Sequence, residues 1–307
     1  MERKSLFLIL ASPSFIWLVR PDVYSPWYLE NLLASPLVIL IAYIILLVLL
    51  VNYLKTKIVI YTFMLHLSII GTLITIDSSL HSSKQCNNRI SVFQFNNRYN
   101  ENDNRKLVSL LMGTNYDLVV LQEISPLARK ELINQLSPIY PYFVTGISLA
   151  EHIATDQLIL SQHPFTKEKY FKHQNNSHLI QMQWHYTNET IHLFTLHPPS
   201  PRTKELWKKR NNTLYQLASQ IKLLKSESIL IVGDFNLSSF SARIKLFTTT
   251  LNGSFKGSWP NIQNILPFLT VAIDHVFINS NMMICSRERI DVVNYSDHYP
   301  IITHISL

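Results

Sequence analysis

The chain has 307 residues, 47% of them hydrophobic, and a formal net charge of +7. That length suits one large domain, or a domain with an appendage. Its two cysteines, Cys86 and Cys285, are too few and too far apart for a zinc site or a disulfide framework.

The basic residues are concentrated in the later part of the chain. The first 78 residues hold five of the 27 basic and four of the 20 acidic residues, which leaves 22 basic and 16 acidic residues, a net charge of +6, for the rest. A basic domain is expected to meet phosphate-bearing partners, either nucleic acid or an anionic lipid surface. The alternative is a mild excess that serves only solubility.

The N-terminal region is strongly apolar. Every residue from 37 to 51 is apolar or Tyr, which predicts a transmembrane helix at about residues 35–54. A second helix is predicted at about 58–77. A third segment, about 5–20, is shorter and contains Pro13, so it is either a span, a re-entrant piece or a signal-like anchor. Residues 1–78 therefore form a predicted membrane anchor of two to three helices.

Positive residues in the loops set the orientation of these helices. Lys55 and Lys57 occupy the tight connection between the two stronger spans, and Arg3 and Lys4 lie at the N-terminus. Because Lys and Arg beside spans stay cytoplasmic, the large domain is placed on the far side of the membrane. A two-span hairpin gives the domain the same side. There, Cys86 and Cys285 either form a single bridge or stay as two unrelated buried thiols.

A polar tether at 79–89 is followed by strands that alternate with helices. The predicted strands are Ile90–Phe95, Asp117–Leu121, Gln157–Ser161, His178–Tyr186, Thr190–His197, Ile229–Val232, Ala272–Ile278 and Ile301–Ile305. The predicted helices are Asp103–Met112, Pro126–Leu136 and Lys204–Leu224. This mixture predicts an α/β fold with two packed mixed β-sheets flanked by helices.

The stretch Ile229–Asn236 is the most informative. Four aliphatic residues fit a strand buried on both faces, and the Gly-Asp-Phe-Asn that follows places two short polar side chains at its end. Ligands bind at that edge in α/β folds, although Gly, Asp and Asn also form ordinary turns.

Polar side chains recur wherever a predicted strand begins or ends. Each alone fits a helix start or a solvated loop, but their joint occurrence at strand termini indicates one site. They are Asn96, Gln122-Glu123, His197, Asp234 and Asn236, Ile273-Asp274-His275, and Ser296-Asp297-His298.

These motifs, in this order, resemble the landmarks of the endonuclease/exonuclease/phosphatase (DNase I-like) superfamily. The resemblance covers residues 90–307, the predicted catalytic domain, and implies a four-layer α/β sandwich that hydrolyses phosphate esters with metal assistance. His197-Pro198-Pro199 and Ser258-Trp259-Pro260 look most like bacterial members with N-terminal spans. The expected location is therefore a bacterial inner membrane, multi-pass, with the catalytic domain extracytoplasmic.

The resemblance implies a metal site made of oxygen ligands. Glu123 is expected as the main ligand with Asn96 beside it, and Asp297 as a further acidic member. Carboxylate and amide oxygens without Cys select a hard ion, Mg²⁺ or Mn²⁺.

It also implies the catalytic roles. Asp234 is expected to position or deprotonate the attacking water, and Asn236 to orient the water or the phosphate. His298 is expected to contact the phosphate, with Asp274 fixing its tautomer. His275 competes for that role, but its side chain should point to the opposite sheet face.

His197 matches the family's mid-domain His, which binds phosphate or assists the leaving group. Its acidic partner in DNase-like members corresponds to Asp156, although the Gly that many relatives place nearby is missing.

Substrate contacts are expected from a basic helix after His197, with Arg202, Lys208 and Arg210 as candidates. The alternative is a solvated amphipathic helix. The chemistry predicts a phosphodiesterase, with nucleic acid favoured over phospholipid or sphingolipid headgroups. A catalytically silent membrane scaffold is the third hypothesis, and the intact acidic and His positions argue against it because clustered carboxylates repel without a cation. No obligate protein partner is inferred.

Overall fold

In the computed structural model, the described residues are 26–35, 86, 89–100, 104–145, 155–173, 176–224, 227–262, 269–291 and 295–307, with scattered positions between 39 and 64. The predicted spans at about 5–20, 35–54 and 58–77 lie outside them, apart from residue 35 and the scattered helical positions. The tether at 79–89 also lies outside them, apart from Cys86 and Arg89. Within the described part of the chain, no helix combines the length and apolar character needed to cross a membrane.

The described helices and strands follow the predicted order. The helices are α1 (Trp27–Leu33), α2 (Arg105–Thr114), α3 (Pro126–Leu136), α4 (Lys204–Ile221) and α5 (Lys245–Thr248), the last preceded by a 3-10 turn at Ala242–Ile244. The strands are β1 (Arg89–Asn96), β2 (Leu118–Gln122), β3 (Tyr142–Val144), β4 (Leu158–Ser161), β5 (Phe165–His173), β6 (Asn176–Tyr186), β7 (Glu189–Leu196), β8 (Ser228–Asp234), β9 (Asn252–Ser254), β10 (Asp274–Ile278), β11 (Met283–Arg289) and β12 (Ile301–Ser306).

Capping residues fix where the helices beside the site begin. Ser125 accepts a hydrogen bond from the Ala128 amide at the start of α3, and Pro126 occupies the first turn, where its missing N–H costs nothing. Thr203 caps α4 in the same way through the Leu206 amide. Both helices therefore start directly after site-bearing loops.

The strands form two six-stranded mixed sheets. The first has the order β11-β12-β1-β2-β4-β3, and the second has the order β5-β6-β7-β8-β10-β9. In each sheet one central pair is parallel, β1 with β2 and β7 with β8, and the other neighbours are antiparallel. Parallel strands end at the same edge, so four strand ends that carry polar residues gather at one side.

Three apolar clusters hold four layers together. One lies between the sheets and includes Val92, Val120 and Val232. A second packs α2 and α3 on the first sheet, and a third packs α4 on the second. The fold is thus an α/β sandwich of two packed mixed sheets with flanking helices, as predicted.

A disulfide joins Cys86, just ahead of β1, to Cys285 in β11, with their Cα atoms 5.9 Å apart. It closes a sequence separation of 199 residues. Of the two alternatives that the sequence leaves open for these cysteines, the structure has the bridge.

Candidate active site

The site is centred on the end of β8, where Asp234 is buried. The Asn96 amide Nδ2 lies 3.1 Å from Asp234 Oδ2 and 3.1 Å from Glu123 Oε1. Asn96 ends β1, and Glu123 follows β2, so the two sheets bring their strand ends together here. Glu123 keeps 25% of its side chain exposed, whereas Asp234 keeps 1%.

Backbone geometry at these strand ends is specialised. Glu123 has φ 52° and Asn236 has φ 47°, in the left-handed region that side chains other than Gly rarely adopt. Such conformations persist where the surrounding structure enforces them, commonly at functional sites. Gly233 is needed for a different reason, because a Cβ there would lie 2.1 Å from Leu196 O on neighbouring β7.

His298 and Asp274 form a buried pair next to Asp234. His298 Nδ1 lies 2.8 Å from Asp274 Oδ2, and its Nε2 lies 3.7 Å from Asp234 Oδ2. Gln94 Nε2 donates to the other Asp274 oxygen at 3.1 Å. Burial alone would lower the pKa of His298, but the Asp274 charge and hydrogen bond outweigh it and raise that pKa to about 9.

A second His–Asp pair faces Asp234 from β7. His197 Nδ1 lies 2.7 Å from Asp156 Oδ2, and Tyr99 donates to the same carboxylate oxygen at 2.7 Å. His197 Nε2 lies 3.6 Å from Glu123 and 3.7 Å from Asp234. Against the effect of burial, the three carboxylates raise the pKa of His197 to about 10. The structure thus places Asp156 where the resemblance implied.

The Asp234 carboxylate is the point that both imidazoles face. Burial and the charge of nearby Asp274 raise its pKa, while His298 and His197 lower it by a smaller amount. The backbone amide of Asn236 donates to Asp234 Oδ1 at 2.8 Å and fixes the carboxylate plane. A carboxylate with a raised pKa is a better base than an ordinary aspartate.

Asp297 lies at the rim of the site. Trp259 Nε1 donates to Asp297 Oδ2 at 3.2 Å, and Arg98 Nε lies 3.7 Å from Oδ1. The hydroxyl of neighbouring Ser296 donates to Asn96 O at 2.7 Å, which ties the Ser-Asp-His loop to the end of β1. Asp297 thus lies next to buried His298 in the chain, but its own contacts are with Trp259 and Arg98.

His275 points away from the site, as predicted. Its Nε2 lies 2.7 Å from Leu237 O, and its ring packs against the aromatic side chains Phe235, Phe255 and Phe277. Burial lowers its pKa to about 3, so it is neutral. The imidazole next to Asp234 and Asp274 therefore belongs to His298.

Among the described residues, Asp234, Asp274 and His298 have ligand atoms within 4.8 Å of one another, as a cation site would require. However, His298 Nδ1 and Asp274 already satisfy each other with a hydrogen bond. The neighbouring carboxylates of Glu123 and Asp234 are oxygen ligands of the kind that Mg²⁺ and Mn²⁺ prefer, and Asn96 Nδ2 donates to both of them. A cation would also reduce the repulsion between these two carboxylates, which share one neutral amide. The residues present therefore fit a hard divalent ion at Glu123, and Asn96 would ligate it through its amide oxygen Oδ1, which here accepts from the Arg98 amide at 2.9 Å.

The three basic residues predicted to bind substrate divide into two groups. Arg202 and Lys208 are exposed on or just before α4. Arg210 is buried instead, with Nη2 3.0 Å from Glu30 Oε1 and Nη1 donating to Asn236 O at 3.0 Å. The expectation of a substrate contact by Arg210 is corrected, because its guanidinium faces the interior of the domain.

Several residues at the site were not predicted from the sequence. They are Arg98 and Tyr99 after β1, Trp259, and the buried arginines Arg129 and Arg287. Trp259 alone carried a signal, as the centre of the Ser-Trp-Pro motif. Arg98 and Tyr99 contact the carboxylates of Asp297 and Asp156, and Arg129 and Arg287 donate to backbone carbonyls. No local sequence pattern encodes these long-range contacts.

Comparison with known proteins agrees with this geometry. The model of the endonuclease/exonuclease/phosphatase family matches residues 87–298. No curated protein sequence matches the chain.

Solved structures share the fold at low sequence identity. An endonuclease/exonuclease/phosphatase from Beutenbergia cavernae has a TM-score of 0.58 at 14% identity, and the match covers 72% of each chain. TDP2 from D. rerio, complexed with single strand DNA product, has a TM-score of 0.59 at 17% identity over 72% of this chain and 100% of that chain. A Staphylococcus aureus beta toxin mutant with bound magnesium ions has a TM-score of 0.54 at 15% identity over 71% of this chain and 99% of that chain.

The sandwich and its site of two His–Asp pairs around a carboxylate centre define a metal-dependent phosphoric ester hydrolase. The chain belongs to the endonuclease/exonuclease/phosphatase family.

Proposed function

We propose that this protein is a membrane-anchored phosphodiesterase that uses Mg²⁺ or Mn²⁺ and hydrolyses phosphodiester bonds with an activated water, with nucleic acid as the favoured substrate. The observation that carries the proposal is the convergence of both His–Asp pairs and the Asn96–Glu123 contact on Asp234.

Each side chain has a role that its surroundings support. Asp234, with its raised pKa, accepts a proton from the attacking water, and Asn236 is held beside it to orient the water or phosphate. His298 is protonated at neutral pH and donates to a phosphate oxygen as charge develops there. His197, also protonated, binds phosphate or assists the leaving group. A divalent cation held by Glu123 and Asn96, with Asp297 at the rim, would stabilise charge on the phosphoryl oxygens.

Three observations support nucleic acid as substrate. Residues 79–307 have a net charge of +6, and Arg202 and Lys208 are exposed beside the loop that follows His197. One structural neighbour was solved with a single strand DNA product. Exposed Lys and Arg beside a phosphodiesterase site are suited to a polyanion.

A lipid phosphodiesterase is the second candidate, because apolar surface adjoins the catalytic domain. On α1, Tyr28 and Leu32 are 63% and 53% exposed. Among the scattered helical positions of the predicted spans, Val48 and Met64 are 64% and 56% exposed. Exposed apolar side chains on helices suit contact with lipid. A domain held beside a bilayer would reach phospholipid or sphingolipid headgroups directly.

The disulfide and the contacts of α1 support an extracytoplasmic domain. A Cys86–Cys285 bridge fits an oxidising compartment. Because α1 precedes the two stronger predicted spans and contacts the domain that follows them, both lie on one side of the membrane. Two membrane crossings between α1 and the catalytic domain would return the chain to the same side, whereas a single crossing would place them on opposite sides. A reporter enzyme active only outside the cytoplasm, fused after Leu307, should be active, and a silent reporter would contradict this placement.

The substrate is tested with the full-length chain in detergent micelles. Plasmid DNA and sphingomyelin or phosphatidylcholine vesicles are incubated in parallel with Mg²⁺, with Mn²⁺ and with EDTA. Metal-dependent cleavage of DNA, lost in Asp234→Ala and in His298→Ala, supports the nuclease. Release of headgroups without DNA cleavage supports the lipid candidate, and activity that survives both substitutions would refute the site.

A further inference from the structure

Helix α1 lies outside the residues matched by the family and yet docks on the catalytic domain. Asn31 Nδ2 donates to Pro201 O at 2.7 Å, just ahead of α4. Ser238 Oγ, in the loop after β8, donates to Ala34 O at 2.6 Å. The helix is thus attached to both chain segments that follow active-site residues His197 and Asp234.

The centre of this contact is Glu30, which is 7% exposed. Arg210 Nη2 lies 3.0 Å and Arg243 Nη2 3.4 Å from its carboxylate oxygens. Trp207 Nε1 and Ser241 Oγ donate to the carboxylate at 2.6 and 2.7 Å. Burial alone would raise the pKa of Glu30, but the two guanidinium groups lower it below its usual range. A buried carboxylate with this many donors is a built contact rather than a chance surface pair.

Arg210 connects Glu30 to the active site. Its Nη1 donates to the backbone carbonyl of Asn236 at 3.0 Å. Asn236 is the left-handed residue whose amide donates to Asp234, and its side chain donates to Pro198 O at 3.0 Å. One guanidinium therefore spans from α1 to the turn that orients the proposed base.

Two other buried arginines brace the site in the same way. Arg129 Nη2 donates to Thr155 O at 2.5 Å, next to Asp156, and Arg287 Nη2 donates to Asp274 O at 2.8 Å. Each holds the backbone at or next to an acidic partner of a site histidine. Of these three arginines, Arg210 alone has a carboxylate of the described residues within 4.0 Å of its guanidinium. That carboxylate belongs to Glu30 in α1.

We infer that Glu30 is a positioning residue for the active site, which acts through Arg210 on the backbone carbonyl of Asn236. Without Glu30, the buried Arg210 loses a carboxylate counterion and moves toward water, which releases the carbonyl. The Gly-Asp-Phe-Asn turn then loses the support that keeps the left-handed conformation of Asn236. The anchor region and the catalytic domain are in this way one functional unit.

The experiment compares full-length wild type with Glu30→Gln, which keeps the shape of the side chain and removes its charge. The control is Glu205→Gln, which removes a carboxylate from the exposed first turn of α4. The first readout is amide hydrogen exchange, followed by mass spectrometry, of peptides covering residues 233–240 and 118–124. The second is kcat and KM for a small soluble phosphodiester, and this arm rests on the proposed function.

Glu30→Gln should speed exchange in 233–240 but leave 118–124 unchanged, and should lower kcat about 10-fold with little change in KM. In an Arg210→Gln background, Glu30→Gln should lower kcat no further, because both changes break the same connection. Glu205→Gln should match wild type in every readout. Unchanged exchange and unchanged kcat in a folded Glu30→Gln protein would overturn the inference.

Trp207→Phe covers the case in which Glu30→Gln does not fold. It removes one donor to Glu30 and keeps an aromatic ring at the position that faces Arg243. Faster exchange in 233–240 alone supports the inference, and wild-type exchange there refutes it. Exchange does not depend on catalysis, so a chain inactive on every phosphodiester would refute the proposed function while the exchange result still decides the role of Glu30.

Discussion

His298 is held by Asp274 through a buried contact of 2.8 Å between Nδ1 and Oδ2. This contact directs the other ring nitrogen, Nε2, toward Asp234. It also keeps the imidazole protonated, because the pKa of His298 rises to about 9. The pair therefore supplies a positive donor at the place where phosphate charge is expected to develop.

Asp274→Asn should lower the pKa of His298 by at least about one unit. Burial lowers that pKa, and the substitution removes the main negative charge that raises it. The measurement is an NMR titration of the full-length chain in EDTA, with the His298 signal assigned by its loss in His298→Gln. Glu227→Gln is the matched control, since Glu227 pairs with His192 at 3.1 Å elsewhere on the domain. An unchanged His298 titration in Asp274→Asn would contradict the assigned partner.

The same pair predicts how stability depends on pH. The folded pKa of His298, about 9, lies above its ordinary value of 6.5, so protonation favours the folded state. This contribution is complete below about pH 6.5 and is lost as the pH rises through about 9. The melting temperature in EDTA should fall over that window in wild type, and less steeply in His298→Gln. Equal slopes would show that His298 does not carry the effect.

Gly233→Ala should destabilise the domain by about 2–3 kcal/mol and abolish hydrolysis, because the added Cβ would collide with Leu196 O at 2.1 Å. Gly113→Ala is the matched control. Gly113 lies in α2, where a Cβ would meet nothing within 4 Å, so this change should be neutral or stabilise by up to about 1 kcal/mol. Urea unfolding of both variants checks the pair, and similar losses in the two would contradict the close approach of β7 to β8.

Reduction of the disulfide should lower the melting temperature by roughly 10 °C, because the bridge closes a long loop and removal of such a bridge typically costs about 3 kcal/mol. The double variant Cys86→Ser with Cys285→Ser should melt at the lower temperature with or without dithiothreitol. Two reactive thiols in wild type before reduction would contradict the bridge.

Arg202→Gln combined with Lys208→Gln should weaken binding to single-stranded DNA and reduce the dependence of affinity on salt by about two ionic contacts. Hydrolysis of a small phosphodiester should be unaffected, because both side chains are exposed and neither belongs to the buried set of Asp234, His197 and His298. An affinity equal to wild type at low salt would show that the basic helix does not contact the nucleic acid.

The central strands were predictable from the sequence because burial leaves a clear apolar pattern. All eight predicted strands are found, and they occupy the interior positions of the two sheets. The four strands that were not predicted, β3, β5, β9 and β11, are the four edges. Edge strands have one neighbour and tolerate charged residues, as in the Lys-Glu-Lys of β5, so they lack an apolar signature.

Other features depended on contacts that sequence separation hides. The basic run in α4 was interpreted as a surface, but Arg210 is directed inward because Glu30, far away in the chain, compensates its charge. Asp156 was identified through the resemblance alone, since its partner His197 lies 41 residues away. Long-range pairs of this kind have no local pattern.

The most direct test of the central claim is the hydrolysis rate of bis-p-nitrophenyl phosphate by the full-length chain, measured with Mg²⁺ or Mn²⁺ and with EDTA. We expect activity that requires the metal and falls at least about 100-fold in Asp234→Asn and in Glu123→Gln, with the melting temperature in EDTA preserved. Wild-type activity in EDTA, or full activity in folded Asp234→Asn, would contradict a hydrolytic site built around Asp234.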